Sequence, residues 1–126
     1  MKTVLIVEDE KPLLDSYKEI IEKAGHMCIG VSDGYQALDY LASHKGEVDL
    51  VILDLMMPGV DGLEVLGAIK KSDVKYGTPP VIVLSNMTSD TVIQDAFQLG
   101  ASSYLVKIDL DYDALVKELD KYLVND

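Results

Sequence analysis

Five short runs of branched apolar residues, each followed by a longer segment with helical spacing, constrain this 126-residue chain more than any other feature. The runs are Thr3–Val7, Met27–Val31, Leu50–Leu53, Val81–Leu84 and Ser102–Val106. Short uninterrupted runs of this kind suit strands buried on both faces. Their strict alternation with helical segments predicts an α/β fold, a parallel sheet covered by helices on both sides.

Start and stop signals place the five helices. The first follows Glu8-Asp9-Glu10, carries Pro12 in its first turn, and shows Leu13, Leu14, Tyr17, Ile20, Ile21 and Ala24 at helical spacing before Gly25. Asp33 with Gln36, and Asp61 with Glu64, are cap signatures for the second and third. Thr78-Pro79-Pro80 breaks the chain. Thr88, Ser89 or Asp90 caps the fourth helix, which Gly100 closes, and Asp111 begins the fifth.

This length fits one domain, residues 1–126. The formal charge is −11 and arginine is absent, which disfavours direct nucleic-acid binding. The N-terminal apolar stretch is too short for a signal peptide and no run reaches membrane-spanning length. A cytoplasmic location is expected. The single cysteine, Cys28, sits in an apolar segment and reads as a packing residue. His26 and His44 lie near helix ends and read as surface residues. Asp109, Asp111 and Asp113 read as caps and solvated charge, and the chain stops at Asp126, directly after the fifth helix.

Polar groups gather where the runs end. Glu8 and Asp9 follow the first strand, Asp54 the third, Ser85 the fourth, and Lys107 the fifth. In a parallel sheet these ends share one edge, where ligands bind. The order 2-1-3-4-5 makes the first and third strands neighbours, bringing their carboxylates about one strand spacing, roughly 4.8 Å, apart. At an effective dielectric near 20, two unit charges 4 Å apart repel by roughly 4 kcal/mol. A hard divalent cation relieves that repulsion. Mg2+ fits an all-oxygen site that keeps waters, whereas zinc prefers His or Cys. Lys107 and Ser85 then suit the oxygens of a transferring phosphoryl group, with Asp54 as its nucleophile.

These stretches resemble the receiver domain of two-component response regulators: Val4–Glu10, Asp33–Leu38, Asp54–Gly62 with its Met-Met-Pro-Gly turn, Val81–Ser85 and Gly100–Lys107. The resemblance implies a flavodoxin-like, doubly wound (βα)5 sheet of order 2-1-3-4-5. It implies Asp54 as phosphoacceptor, with Asp9, Asp54, the Met56 carbonyl and, through water, Glu8 serving Mg2+. Ser85 would follow the arriving phosphoryl oxygen, and Tyr104 would change rotamer. The donor implied is a phosphohistidine on a sensor histidine kinase or a histidine phosphotransfer protein. The face of the fourth helix, fifth strand and fifth helix would meet a downstream effector. The domain would catalyse its own phosphorylation and dephosphorylation without being a turnover enzyme.

Two positions depart from the family pattern. Ile108 stands where proline usually follows the lysine. A cis bond before a non-proline residue costs about 3–4 kcal/mol, so a trans Lys107–Ile108 bond is expected. Asn86 replaces a very small residue, where it either crowds the pocket or hydrogen-bonds into it. Met56 and Met87 are expected to flank the entry of the hydrolytic water and to prolong the phosphorylated lifetime. The alternatives are a receiver-like interaction module working without phosphorylation and a flavodoxin-type cofactor binder. The acidic strand ends weigh against the latter.

Overall fold

The computed structural model describes residues 1–57, 59 and 61–123. Pro58 and Val60, in the segment where the sequence predicts a turn, and the terminal residues 124–126 lie outside the described residues. The strands are β1 (Thr3–Val7), β2 (Met27–Val31), β3 (Leu50–Asp54), β4 (Val81–Ser85) and β5 (Ser103–Val106). All pair in parallel, in the order β2-β1-β3-β4-β5. The expected topology is therefore the observed one.

The helices are α1 (Lys11–Lys23), α2 (Gly34–Ser43), α3 (Gly62–Lys71), α4 (Asp73–Tyr76), α5 (Asp90–Gln98) and α6 (Tyr112–Tyr122). Among the described residues six replace the five expected. The addition, α4, is a single turn capped by the Ser72 side chain, which accepts from Lys75 N–H, and it ends at Gly77. Four residues are too few to show a helical period, which is why spacing alone misses it. The fourth and fifth expected helices are thus α5 and α6. A 3-10 turn, Lys107–Asp109, follows β5.

The caps fall where short-range chemistry puts them. Asp33 accepts from Gln36 N–H at 2.8 Å, Asp61 from Leu63 at 2.9 Å, and Asp111 from Ala114 at 2.8 Å. Of the three candidates before α5, Ser89 is the cap. Gly100 adopts a φ of 109°, and a Cβ there would lie 2.9 Å from the Lys70 side chain, so both backbone and space require glycine.

The central strands are buried on both faces. Leu5 and Val7, Val51 and Leu53, and Val81 and Val83 face one cluster, completed by Ala37, Leu41, Val65, Leu66, Ile69 and Ala96 from α2, α3 and α5. Val4 and Ile6, Leu50 and Ile52, and Ile82 and Leu84 face the other, with Tyr17, Ile21, Leu115 and Leu119 from α1 and α6. Each Val, Leu or Ile among them contributes about 1.5–3 kcal/mol on burial. A one-residue slip would keep both faces apolar but displace every strand-end group, so register is what positions the site.

His26 corrects a sequence expectation: it is buried, not superficial. Its N–H bonds the Ile21 carbonyl at 3.2 Å, closing α1 and turning the chain directly into β2, which carries the ring inward. His44 is half-buried, stacked on the Tyr40 ring with centroids 4.0 Å apart. Cys28 is buried as expected, and burial pushes its thiol up to about 12, away from reactivity.

Candidate functional site

Parallel pairing sets Val7 beside Leu53, so the next residues, Glu8 and Asp54, emerge together at the carboxyl edge. On the far side, Asp54 pairs with Leu84 and Ser85 with Val106, which aligns the ends of β4 and β5 with the same edge. The carboxylates of Glu8, Asp9 and Asp54 converge, each offering an oxygen within 4.8 Å of the others. Glu8, Asp54 and Ser85 are buried almost completely. Asp54 opens onto a cavity of about 300 Å³ that Asp9, Met56, Asn86 and Lys107 also line, joined by Glu10 and Leu13 from the start of α1.

Lys107 reaches into the cluster. Its Nζ lies 2.7 Å from Glu8 Oε1 and 3.1 Å from Asp54 Oδ2. The other Asp54 oxygen, Oδ1, accepts from Met56 N–H at 3.1 Å. Both Asp54 oxygens are thus held, one by a cation and one by the backbone of the following loop. That loop folds back tightly: Met56 bridges Asp61, and Gly62 N–H donates to Leu55 O at 3.2 Å. A Cβ on Gly62 would lie 2.5 Å from Leu55 Cα, so close approach of backbone to backbone is what requires glycine there.

The charges do not balance. One lysine faces three carboxylates, two of them buried. Burial, and then the neighbouring Asp54, raise Glu8 from 4.5 to about 7, against the opposing pull of Lys107. Burial alone would lower Lys107, but its contacts with Glu8 and Asp54 outweigh that and hold it above its usual value. A buried surplus of negative charge, all on oxygen, fits a hard divalent cation.

The remaining expected residues are close but differently engaged. Ser85 Oγ accepts from Met87 N–H at 3.0 Å. Tyr104 is half-buried against the core, and its hydroxyl donates to the Met87 carbonyl at 2.6 Å. Asn86 lines the cavity without pointing its acceptor into it: Oδ1 accepts from Ile108 N–H at 2.9 Å. The Lys107–Ile108 bond is trans, as expected. Met56 is exposed at the cavity wall, whereas Met87 is half-buried and engaged through its backbone. The direct Glu8–Lys107 pair escaped the sequence reading, because nothing local in either segment specifies which carboxylate a distant lysine selects. Glu10 and Leu13 were also missed as lining residues.

Known proteins share this fold. The chemotaxis protein CheY4 of Vibrio cholerae superposes with a TM-score of 0.86 at 28% identity, covering 98% of this chain and 99% of that one. The receiver domain of the Francisella response regulator 1452 gives 0.83 at 27% identity, covering 97% and 96%. Among curated proteins, the phosphate regulon transcriptional regulatory protein PhoB of Pseudomonas aeruginosa is 31% identical over 106 residues. Those residues are 84% of this chain but only 45% of that relative's length. The family model for the response regulator receiver domain matches residues 4–120. With its sheet order, its acidic strand ends and that match, the chain belongs to the response regulator receiver domain family.

Proposed function

We propose that residues 1–126 act as a single phosphoacceptor switch in which Asp54 takes a phosphoryl group from a phosphohistidine. The observation that carries this reading is the convergence of three carboxylates within 4.8 Å, with a lysine held against two of them. In the reaction an Asp54 oxygen attacks phosphorus, the P–N bond to the donor imidazole breaks, and that nitrogen keeps the electron pair. The donor is a sensor histidine kinase or a histidine phosphotransfer protein.

Asp9, Asp54 and the Met56 carbonyl would hold Mg2+, with Glu8 acting through water. When bound, Mg2+ would supply the charge compensation that lets an anionic phosphoryl group approach an anionic site. The chain's own groups do the rest. Met56 N–H fixes one Asp54 oxygen, and Lys107 moves from Glu8 to the phosphoryl oxygens as they arrive. Ser85 leaves Met87 N–H to donate to another phosphoryl oxygen. That movement shifts Met87, whose carbonyl anchors Tyr104, and the Tyr104 ring then changes rotamer.

Tyr104 lies on β5 between α5 and α6, so the change reaches the α5-β5-α6 face that meets a downstream effector. Phosphorylation acts by favouring this second arrangement; equal affinity for both would shift nothing. The domain works in the cytoplasm, contacts no nucleic acid directly, and catalyses only its own modification. Among the described residues, no helix is long and apolar enough to cross a membrane. Intact-mass measurement with acetyl phosphate and Mg2+ tests the proposal. A phosphate adduct lost in Asp54→Asn supports it; an adduct that survives the substitution rejects Asp54 as acceptor.

A further inference from the structure

We propose that Asn86 is a positioning residue, a clamp that ties the loop leaving β4 just after Ser85 to the 3-10 turn that begins at Lys107 through the Asn86 Oδ1–Ile108 N–H hydrogen bond. The inference rests on the phosphoacceptor reading above and deepens it. The two sequence departures are one device. A proline at position 108 would offer no N–H, and a very small residue at 86 would offer no acceptor. Here both partners are present and meet at 2.9 Å.

Beyond the last β5 pair, Val106 with Ser85, the turn that begins at Lys107 has little else to hold it. Ile108 is 83% exposed, so packing does not anchor it. The 3-10 turn closes on itself through Leu110 N–H to Lys107 O. The β4–β5 pairing holds the chain only as far as Val106, opposite Ser85, and beyond it Lys107 Nζ rests on Glu8 and Asp54, a contact that must loosen when the lysine turns to a phosphoryl group. Asn86–Ile108 involves a backbone donor and a neutral amide, so it survives that exchange of charge. Ser85 and Asn86 are adjacent, as are Lys107 and Ile108. Movement of Ser85 toward phosphate therefore carries Ile108 with it, and the two groups that bracket the phosphoryl oxygens keep their separation. A surface asparagine that merely meets a nearby N–H would bring no such coupling, so the two cases differ in what its loss does.

The experiment pairs amide hydrogen exchange at Ile108 with the rate of phosphate adduct formation from acetyl phosphate and Mg2+. It compares wild type, Asn86→Ala and Asn86→Asp. Asn86 is exposed, so neither variant threatens folding. Loss of the acceptor in Asn86→Ala should speed Ile108 exchange roughly tenfold. Asn86→Asp, whose carboxylate still accepts, should keep exchange slow. Adduct formation should fall roughly tenfold or more in Asn86→Ala, because misplacement of a positioning group costs rate, while Mg2+ affinity stays unchanged. Unchanged Ile108 exchange in Asn86→Ala, or adduct formation at the wild-type rate, overturns the clamp alone. A wild-type protein that takes no phosphate overturns the phosphoacceptor reading together with the clamp's role in it.

Discussion

Lys107 Nζ lies 2.7 Å from Glu8 Oε1, joining groups 99 positions apart in the chain. The glutamate is almost wholly buried and the lysine side chain is 13% exposed, so the pair is not a surface ion pair of negligible weight. Removing the cation leaves a buried carboxylate facing Asp54. Lys107→Met is expected to cost about 3 kcal/mol at pH 8, where Glu8 is charged. At pH 5, where Glu8 is largely protonated, the loss should be much smaller. Urea unfolding at both pH values decides; equal losses would refute the pairing as the cause.

Glu8 itself gives the metal-free protein a pH dependence of definite sign. Its folded value of about 7 exceeds the ordinary value of 4.5, so between these the native state binds more protons than the unfolded one. Stability is then complete below about 4.5 and falls as pH rises through about 7, by up to about 3 kcal/mol. Glu8→Gln should flatten the curve over that window. Denaturation midpoints measured from pH 4.5 to 8 in EDTA would show it, and a wild-type curve rising across the window would contradict it.

Magnesium should oppose this trend, because cation binding requires the deprotonated cluster. At a free concentration of 100 times Kd the expected stabilisation is about 2.7 kcal/mol, and affinity should be weaker at pH 6 than at pH 8. Asp9→Asn and Asp54→Asn should each abolish most of the rise in Tm. Thermal melts with and without Mg2+ provide the check, with calcium as the competing hard cation.

Two glycines on α3 should respond oppositely to alanine. At Gly62 the new Cβ would lie 2.5 Å from Leu55 Cα and 2.8 Å from Asp54 O, both backbone atoms that cannot swing aside. Gly62→Ala is expected to cost at least about 2 kcal/mol and to weaken Mg2+ binding by moving Asp54. At Gly67 the nearest atom is the Leu99 side chain at 3.7 Å, an ordinary contact. Gly67→Ala should stabilise by about 0.5–1 kcal/mol through helix propensity. Comparable effects at the two sites would show that backbone crowding at Gly62 is not the cause.

Tyr104→Phe keeps the ring and removes the hydroxyl that donates to Met87 O. The expected cost is about 1 kcal/mol, with backbone shifts concentrated at Met87 and Thr88 in NMR spectra. Shifts spread evenly through β5 would argue that the hydroxyl does not hold that loop.

By itself the sequence determined the five strands, the burial of the central three on both faces and most helix caps, whereas the edge strands β2 and β5 are only partly buried. Those properties depend on residues within a few positions of one another: the apolar run Leu50–Leu53, the Asp33 and Asp111 caps, the break at Thr78–Pro80. Acidic strand ends at Glu8, Asp9 and Asp54 were legible for the same reason. Only the tertiary structure decided which groups meet. Lys107 takes Glu8 as well as Asp54, Asn86 turns its acceptor to Ile108, His26 goes inside, and a fourth short helix fills the path from α3 to β4. Each of these depends on sheet register and side-chain reach between segments far apart in the chain, and no local period or cap encodes such distances.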